Sequence, residues 1–116
     1  MKSFSITVPE TPKSKGRPRL GRRGRVYTPI ATHEAETRIA DIWREAKGPK
    51  FDGPVELEVD FYKGKSEIIV RVSSDIPLSG LRGDIDNYIK LVMDGLNGVA
   101  WDDDKQVVLV YAAKME

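Results

Sequence analysis

From Val55 to Tyr62 every second residue is apolar. Val55, Leu57, Val59 and Phe61 fall on one side of an extended chain, and Glu56, Glu58, Asp60 and Tyr62 on the other. A period of two matches a strand with one covered and one wet face. Gly53-Pro54 opens the run, and Lys63-Gly64-Lys65 predicts a turn into a further strand, Ile68 to Val72. Ser3 to Val8 alternates in the same way, with Phe4, Ile6 and Val8 on the core face. Pro9 and Pro12 then stop the ladder, because proline lacks the N–H a neighbouring strand needs. The chain is committed to a sheet.

Elsewhere the period lengthens. Ala35, Ile39, Ile42, Trp43 and Ala46 recur at helical spacing, with Glu34, Arg38, Asp41, Arg44 and Glu45 mostly opposite. Pro29 and Thr32 mark the start of that helix, and Gly48-Pro49 its end. Ser73 to Gly83, with Pro77, Gly80 and Gly83, predicts irregular chain. A second helix is expected over about Asn87 to Leu96, its buried stripe Tyr88, Ile89, Val92 and Leu96, with Gly98 as a cap residue. From Gln106 the run Val107-Val108-Leu109-Val110-Tyr111 is continuously apolar, as in a strand buried on both faces. The order predicts the α+β class: a single small domain over residues 1–116, a mixed β-sheet with two helices packed on it. The helix before the last strand permits a parallel pairing there.

A chain of 116 residues suffices for one core. No apolar run approaches the ~20 residues of a membrane span, and Lys2 leads into alternation rather than a signal-peptide core. Cysteine is absent, which removes disulfides and thiolate zinc sites. A cytoplasmic protein without membrane contact is expected.

The net charge of +1 predicts no partner, but its distribution does. Lys13, Lys15, Arg17, Arg19, Arg22, Arg23 and Arg25 stand in one Gly-containing segment with no acid, which fits a loop or loose hairpin ending near Val26-Tyr27. Asp84, Asp86, Asp94, Asp102, Asp103 and Asp104 oppose Lys90 alone in another. A basic loop suits phosphate contacts, which give affinity without reading sequence. Carboxylates suit a hard, oxygen-seeking cation such as Mg2+.

Asp84 and Asp86 diverge by about 200° on a helix but share one side of an extended backbone. Gly83 favours a non-helical approach, and Asp86 or Asn87 suits an N-cap. Both carboxylates are therefore expected at a loop-to-helix junction, pointing the same way. Asp86, Lys90 and Asp94 recur at steps of four and share the exposed stripe. Of the three later acids, only Asp102 and Asp104 share a side if the segment is extended. Such a set fits phosphodiester hydrolysis, with bound metal activating water and Lys90 neutralising phosphoryl charge. The plain alternative is a helix cap with an Asp86–Lys90 surface pair, a solvated acidic turn and a solvated basic loop. The spacing does not fit a calcium-binding EF-hand: counted from Asp84, the sixth residue is Ile89 and the twelfth Gly95, where Gly and Glu are needed.

Asp84-x-Asp86-Asn87-x-x-Lys90, Asp94-Gly95-Leu96 and Trp101-x-Asp103-Asp104-x-Gln106-Val107-Val108 together resemble the RusA family of Holliday junction resolvases. Pro12-Lys13-x-Lys15-Gly16-Arg17-Pro18-Arg19 and Tyr27-Thr28-Pro29 are similar to the basic front end of many members. The resemblance implies a RusA-like fold and a homodimeric, Mg2+-dependent endonuclease, with Mn2+ a possible substitute, that cuts four-way DNA junctions symmetrically in recombination and repair. It implies Asp84, Asp86 and Asp104 as catalytic, metal-holding acids and Lys90 as the catalytic lysine. Asp103 would assist or hydrogen-bond, and Asp94 would be structural. Asp102 is an added acid, and Ser74 to Arg82 is longer than in compact members; the first opens the ligand assignment and the second the substrate preference.

Lys13, Lys15, Arg17, Arg19, Arg22, Arg23 and Arg25 are expected to contact DNA. His33 is expected at the surface, Trp43 in the core, and Trp101 beneath the acidic site. Two symmetric cuts suit a two-fold pair of sites, with Ile69 a candidate interface residue. The rival activities are a nuclease for flaps or other branched DNA, and a non-catalytic junction-binding protein.

Overall fold

The computed structural model describes residues 1–14, 19–20, 26–27 and 29–115. They form two compact units, Met1–Ser73 and Ser74–Glu116. The elements of the first are β1 (Ser3–Val8), β2 (Arg19–Leu20), β3 (Val26–Tyr27), α1 (Ile30–Glu45), β4 (Val55–Tyr62) and β5 (Lys65–Val72). The second holds α2 (Ile85–Leu96) and a 3-10 turn, Asp104–Gln106.

In the first unit β5 lies between β1 and β4, antiparallel to both. The register follows from the alternation. Ile6 faces Ile68 and Phe4 faces Val70, while Leu57 and Val59 meet Val70 and Ile68 from the other side. The apolar residues therefore share one face and the charged ones the other. On the charged face Arg71 reaches Glu58 at 3.5 Å and Glu56 at 3.9 Å. Strand β5 starts at Lys65, three residues earlier than its apolar pattern predicts. Gly64 takes a φ of 101°, which closes the turn tightly enough for Lys65 to pair with Tyr62. Lys65 sits 4.9 Å over the Tyr62 ring and 3.0 Å from Glu67, whose carboxylate raises the ammonium above its usual pKa.

Helix α1 starts after Pro29, as expected. It covers the β1 end of the apolar face, where Trp43 meets Phe4 edge-on with ring centroids 5.0 Å apart. Ile6 and Val8 are the buried apolar residues beneath it; burying each stabilises by roughly 1.5–3 kcal/mol. Phe61 and Leu57, on β4, remain 71% and 66% exposed. The helix ends in a Schellman motif: Lys47 N–H donates to Arg44 O and Gly48 N–H to Trp43 O, both at 2.9 Å, with Lys47 at φ 61°. A Cβ on Gly48 would collide with the Trp43 indole, whose Nε1 donates to Pro49 O at 3.0 Å. Sequence places the stop at Gly48-Pro49, and the structure adds that the left-handed residue is a lysine.

β2 and β3 pair antiparallel, Arg19 with Tyr27 and Leu20 with Val26, in keeping with the expected hairpin.

The second unit departs from expectation at its end. Residues 107–115 form no strand among the described residues, and Val108 and Tyr111 are 93% and 89% exposed. An apolar run becomes a strand only beside a hydrogen-bonding partner. Here it faces α2 instead, across an open apolar groove of about 450 Å3. Every strand pairing described is accordingly antiparallel. The α+β class stands; the parallel pairing expected of a mixed sheet does not form among the described residues.

Candidate active site

Gly83 sets the start of the acidic segment. Its N–H donates to the Tyr88 hydroxyl at 3.0 Å, and its carbonyl accepts from Lys114 Nζ at 3.0 Å. Lys114 also reaches Leu81 O at 3.3 Å, and Ser79 Oγ donates to Met115 O at 3.1 Å. The irregular approach to α2 is thus tied to the C-terminal segment. A Cβ on Gly83 would stand 2.8 Å from Tyr88 Cζ, so the contact requires glycine.

Asp84 is the N-cap residue of α2, in extended conformation (φ −72°, ψ 141°). Its carbonyl accepts from Asn87 and Tyr88 N–H at 3.1 and 3.3 Å, but its carboxylate makes no cap hydrogen bond. Asp86 lies within the first helical turn, where the helix dipole favours an anion. The helix therefore begins two residues before the expected Asn87. Asp86 is not the cap, and Asp84 and Asp86 do not share one extended stretch. A cap at Asp84 wins because Tyr88 and Lys114 hold the preceding residue. Lys90 and Asp94 follow along α2, both exposed. The ion pairs among the described residues do not include Asp86–Lys90.

Of the stripe expected to be buried, Tyr88, Ile89 and Val92 line the open groove with Ile85, Met93, Trp101 and Lys114, but Tyr88, Val92 and Leu96 stay exposed because nothing closes over the groove among the described residues. After the helix the chain turns at Gly98, with φ 79°. Gly98 N–H donates to Trp101 O at 2.7 Å, and Val99 and Ala100 N–H donate to Leu96 O at 2.9 and 2.8 Å. Trp101 is held at both ends of its residue. Its indole Nε1 donates to Asp104 Oδ1 at 2.8 Å.

The three consecutive acids differ. Asp103 caps the 3-10 turn: its Oδ1 accepts from Lys105 N at 2.9 Å, and Gln106 Oε1 accepts from Asp103 N at 3.0 Å and Asp102 N at 2.7 Å. That is a capping box. Asp104, half-buried, is bound to Trp101, and Asp102 is exposed.

The donor set is all carboxylate, the chemistry of a hard cation. The structure puts Asp84 and Asp86 at the start of α2 and Asp104 on the 3-10 turn, but does not gather them. Among the described residues no three Asp, Glu, His or Cys side chains form a group able to hold a metal ion. Tyr88, Lys114 and the Asp103 cap are the contributors that sequence reasoning missed. The S/T/D-x-x-Q spacing of Asp103 and Gln106 was the available signal for the last; nothing in the pattern pointed to Lys114.

Of the expected DNA contacts, Lys13 is exposed and Arg19 lies in β2. Lys15, Arg17, Arg22, Arg23 and Arg25 fall outside the described residues. His33 is exposed, as expected, and Ile69 is half-buried on the charged face of the sheet. No described helix is long and apolar enough to cross a membrane.

Residues 9–116 match the family model described as "Endodeoxyribonuclease RusA". The chain is also similar to the "Uncharacterized protein YqaN" of Bacillus subtilis (strain 168), 30% identical over 125 residues, covering 98% of this chain and 88% of the relative. No solved structure matches.

Proposed function

The chain belongs to the RusA endodeoxyribonuclease family, and from that premise we propose a Mg2+-dependent endonuclease that resolves four-way DNA junctions by paired, symmetric phosphodiester hydrolysis in recombination and repair. The observation that carries this reading is the acidic motif at the two ends of α2, inside the matched residues 9–116. The whole of 1–116 acts as one nuclease domain in this reading, since the match runs through both compact units.

Asp84, Asp86 and Asp104 are the residues we assign to hold Mg2+, or Mn2+ in its place. Doing so requires the two acidic ends to draw closer than they stand. A divalent ion held by these carboxylates would supply an activated water and relieve charge developing on the phosphoryl group. Lys90, exposed one turn after Asp86, neutralises a phosphoryl oxygen in the transition state. Lys13, Lys15, Arg17, Arg19, Arg22, Arg23 and Arg25 contact backbone phosphates. They set affinity, while branched shape sets preference. The working form is a homodimer, because two symmetric cuts call for two sites related by a two-fold axis. We assign it to the cytoplasm.

Labelled four-way junctions, flaps and duplexes incubated with Mg2+, Mn2+ or EDTA test the reading. Paired symmetric nicks confined to junctions and abolished by EDTA are expected. Preferential flap cutting would make it a nuclease for other branched DNA, an outcome the irregular segment Ser74 to Arg82 leaves room for. Tight junction binding without cleavage in either metal would make it a binding protein.

A further inference from the structure

We propose that residues 107–113 pair antiparallel with the same run of a second copy of this chain, forming the two-fold contact of the homodimer. The inference rests on the homodimer reading given above and names its interface.

The run is anchored at both ends and unpaired between them. It passes from 107 to 115 without helix, turn or bend. At one end Val107 N–H donates to Asp104 O at 3.0 Å. At the other, Lys114 Nζ donates to Gly83 O at 3.0 Å, and Met115 O accepts from Ser79 Oγ at 3.1 Å. Among the described residues no backbone hydrogen bond involves residues 108–113. Val108, Leu109, Val110 and Tyr111 are exposed. Free backbone donors and acceptors along an apolar run make an edge to which another strand adds.

The order of side chains selects a second copy as that strand. Val107-Val108-Leu109-Val110-Tyr111-Ala112-Ala113 carries no charge and no proline. An antiparallel pairing centred on Val110 sets Val108 against Ala112 and Leu109 against Tyr111, each twice, and Val110 against itself. Apolar side chains meet at every position, and no like charges oppose. The two edges of the sheet resist the same operation. Strand β4 carries Glu56, Glu58 and Asp60 on one face, so any well-overlapped two-fold pairing sets acid against acid. On β1, Ile6 and Val8 are already buried, and pairing there would hide little apolar surface.

The two-fold axis of such a ribbon stands perpendicular to it. Both copies of α2 therefore lie on one side, where their open apolar grooves adjoin. The 3-10 turns that precede the run stand at opposite ends, in keeping with two symmetric cuts.

Cysteine cross-linking tests the pairing, since the chain has no cysteine of its own. In this register the two Val110 Cα atoms stand about 4.5–5.5 Å apart, within the span a disulfide closes. The two Val108 Cα atoms stand roughly 14 Å apart, four strand residues along the ribbon, beyond that span. Under mild oxidation V110C is expected to give a linked dimer and V108C none, while an equal mixture of V108C and A112C links. Sedimentation velocity reads the equilibrium. V108K/A112K opposes like charges twice and should raise the dimer dissociation constant about tenfold; V108K/A112E opposes unlike charges and should restore it. Both positions are exposed, and unchanged circular dichroism is expected of these variants. A wild-type dimer that V110C does not link, or that V108C links as readily, overturns the inference and leaves the homodimer to another face. A wild-type chain that stays monomeric at every concentration removes the homodimer reading and the inference together. A linked V110C dimer that cuts no DNA in any metal, where the wild type also cuts none, keeps the interface and removes the nuclease reading.

Discussion

The backbone N–H of Gly83 donates to the hydroxyl of Tyr88 at 3.0 Å, locking the residue before Asp84 onto the first turn of the helix that Asp84 caps. This bond links a loop to a side chain five residues on. It makes the conformation of Asp84 a consequence of Tyr88 as much as of its own backbone preference.

Gly83→Ala follows directly. The added Cβ meets Tyr88 Cζ and Oη at 2.8 Å, so the ring must move. The expected cost is about 1–3 kcal/mol, as for overpacking, read as a lower urea midpoint. Tyr88→Phe removes only the hydrogen bond and should cost about 0.5–1.5 kcal/mol. Junction cleavage by G83A should fall further than its stability loss explains, because Asp84 is displaced.

Asp86→Asn should abolish cleavage while leaving junction binding intact, measured by nicking and gel-shift assays on the same preparation. Lys90→Ala should reduce the single-turnover rate by about 10²–10³-fold, the usual worth of a charge-stabilising donor. Normal cutting by D86N would refute the site.

Lys47→Gly should stabilise the chain. Lys47 takes φ 61° at the end of α1, a conformation costing a residue with a Cβ about 1–2 kcal/mol. Glycine pays less there but loses about 0.5–1 kcal/mol more in chain entropy. A net gain of about 0.5–1 kcal/mol in urea denaturation is expected, with no change in cleavage.

Lys13→Ala and Arg19→Ala should each weaken junction and duplex binding alike. Each phosphate contact removed should lower the slope of log affinity against log salt by about 0.9. A change confined to junctions would point instead to recognition of the branch.

The sheet was readable because its cause is local. Alternation in Val55–Tyr62, a glycine at 64 and a second apolar run are enough to specify a hairpin, and the pairing ladder follows that alternation. Helix α1 and its stop at Gly48 were readable for the same reason, as was the irregular stretch before Asp84. The chemical character of the site, carboxylates with one lysine, is a property of composition and spacing alone.

What resisted reading depends on partners remote in sequence. The apolar run after Gln106 has strand character, yet a strand exists only against another strand, and its residues face α2. Asp84 became the cap because Tyr88 and Lys114, the latter thirty-one residues away, grip Gly83. Asp103 and Asp104 are neighbours of the same type with different duties, one bound to its own turn and one to Trp101. Residue identity decided which side chains carry carboxylates; the hydrogen bonds formed on folding decided that one is tied to its own turn and its neighbour to an indole.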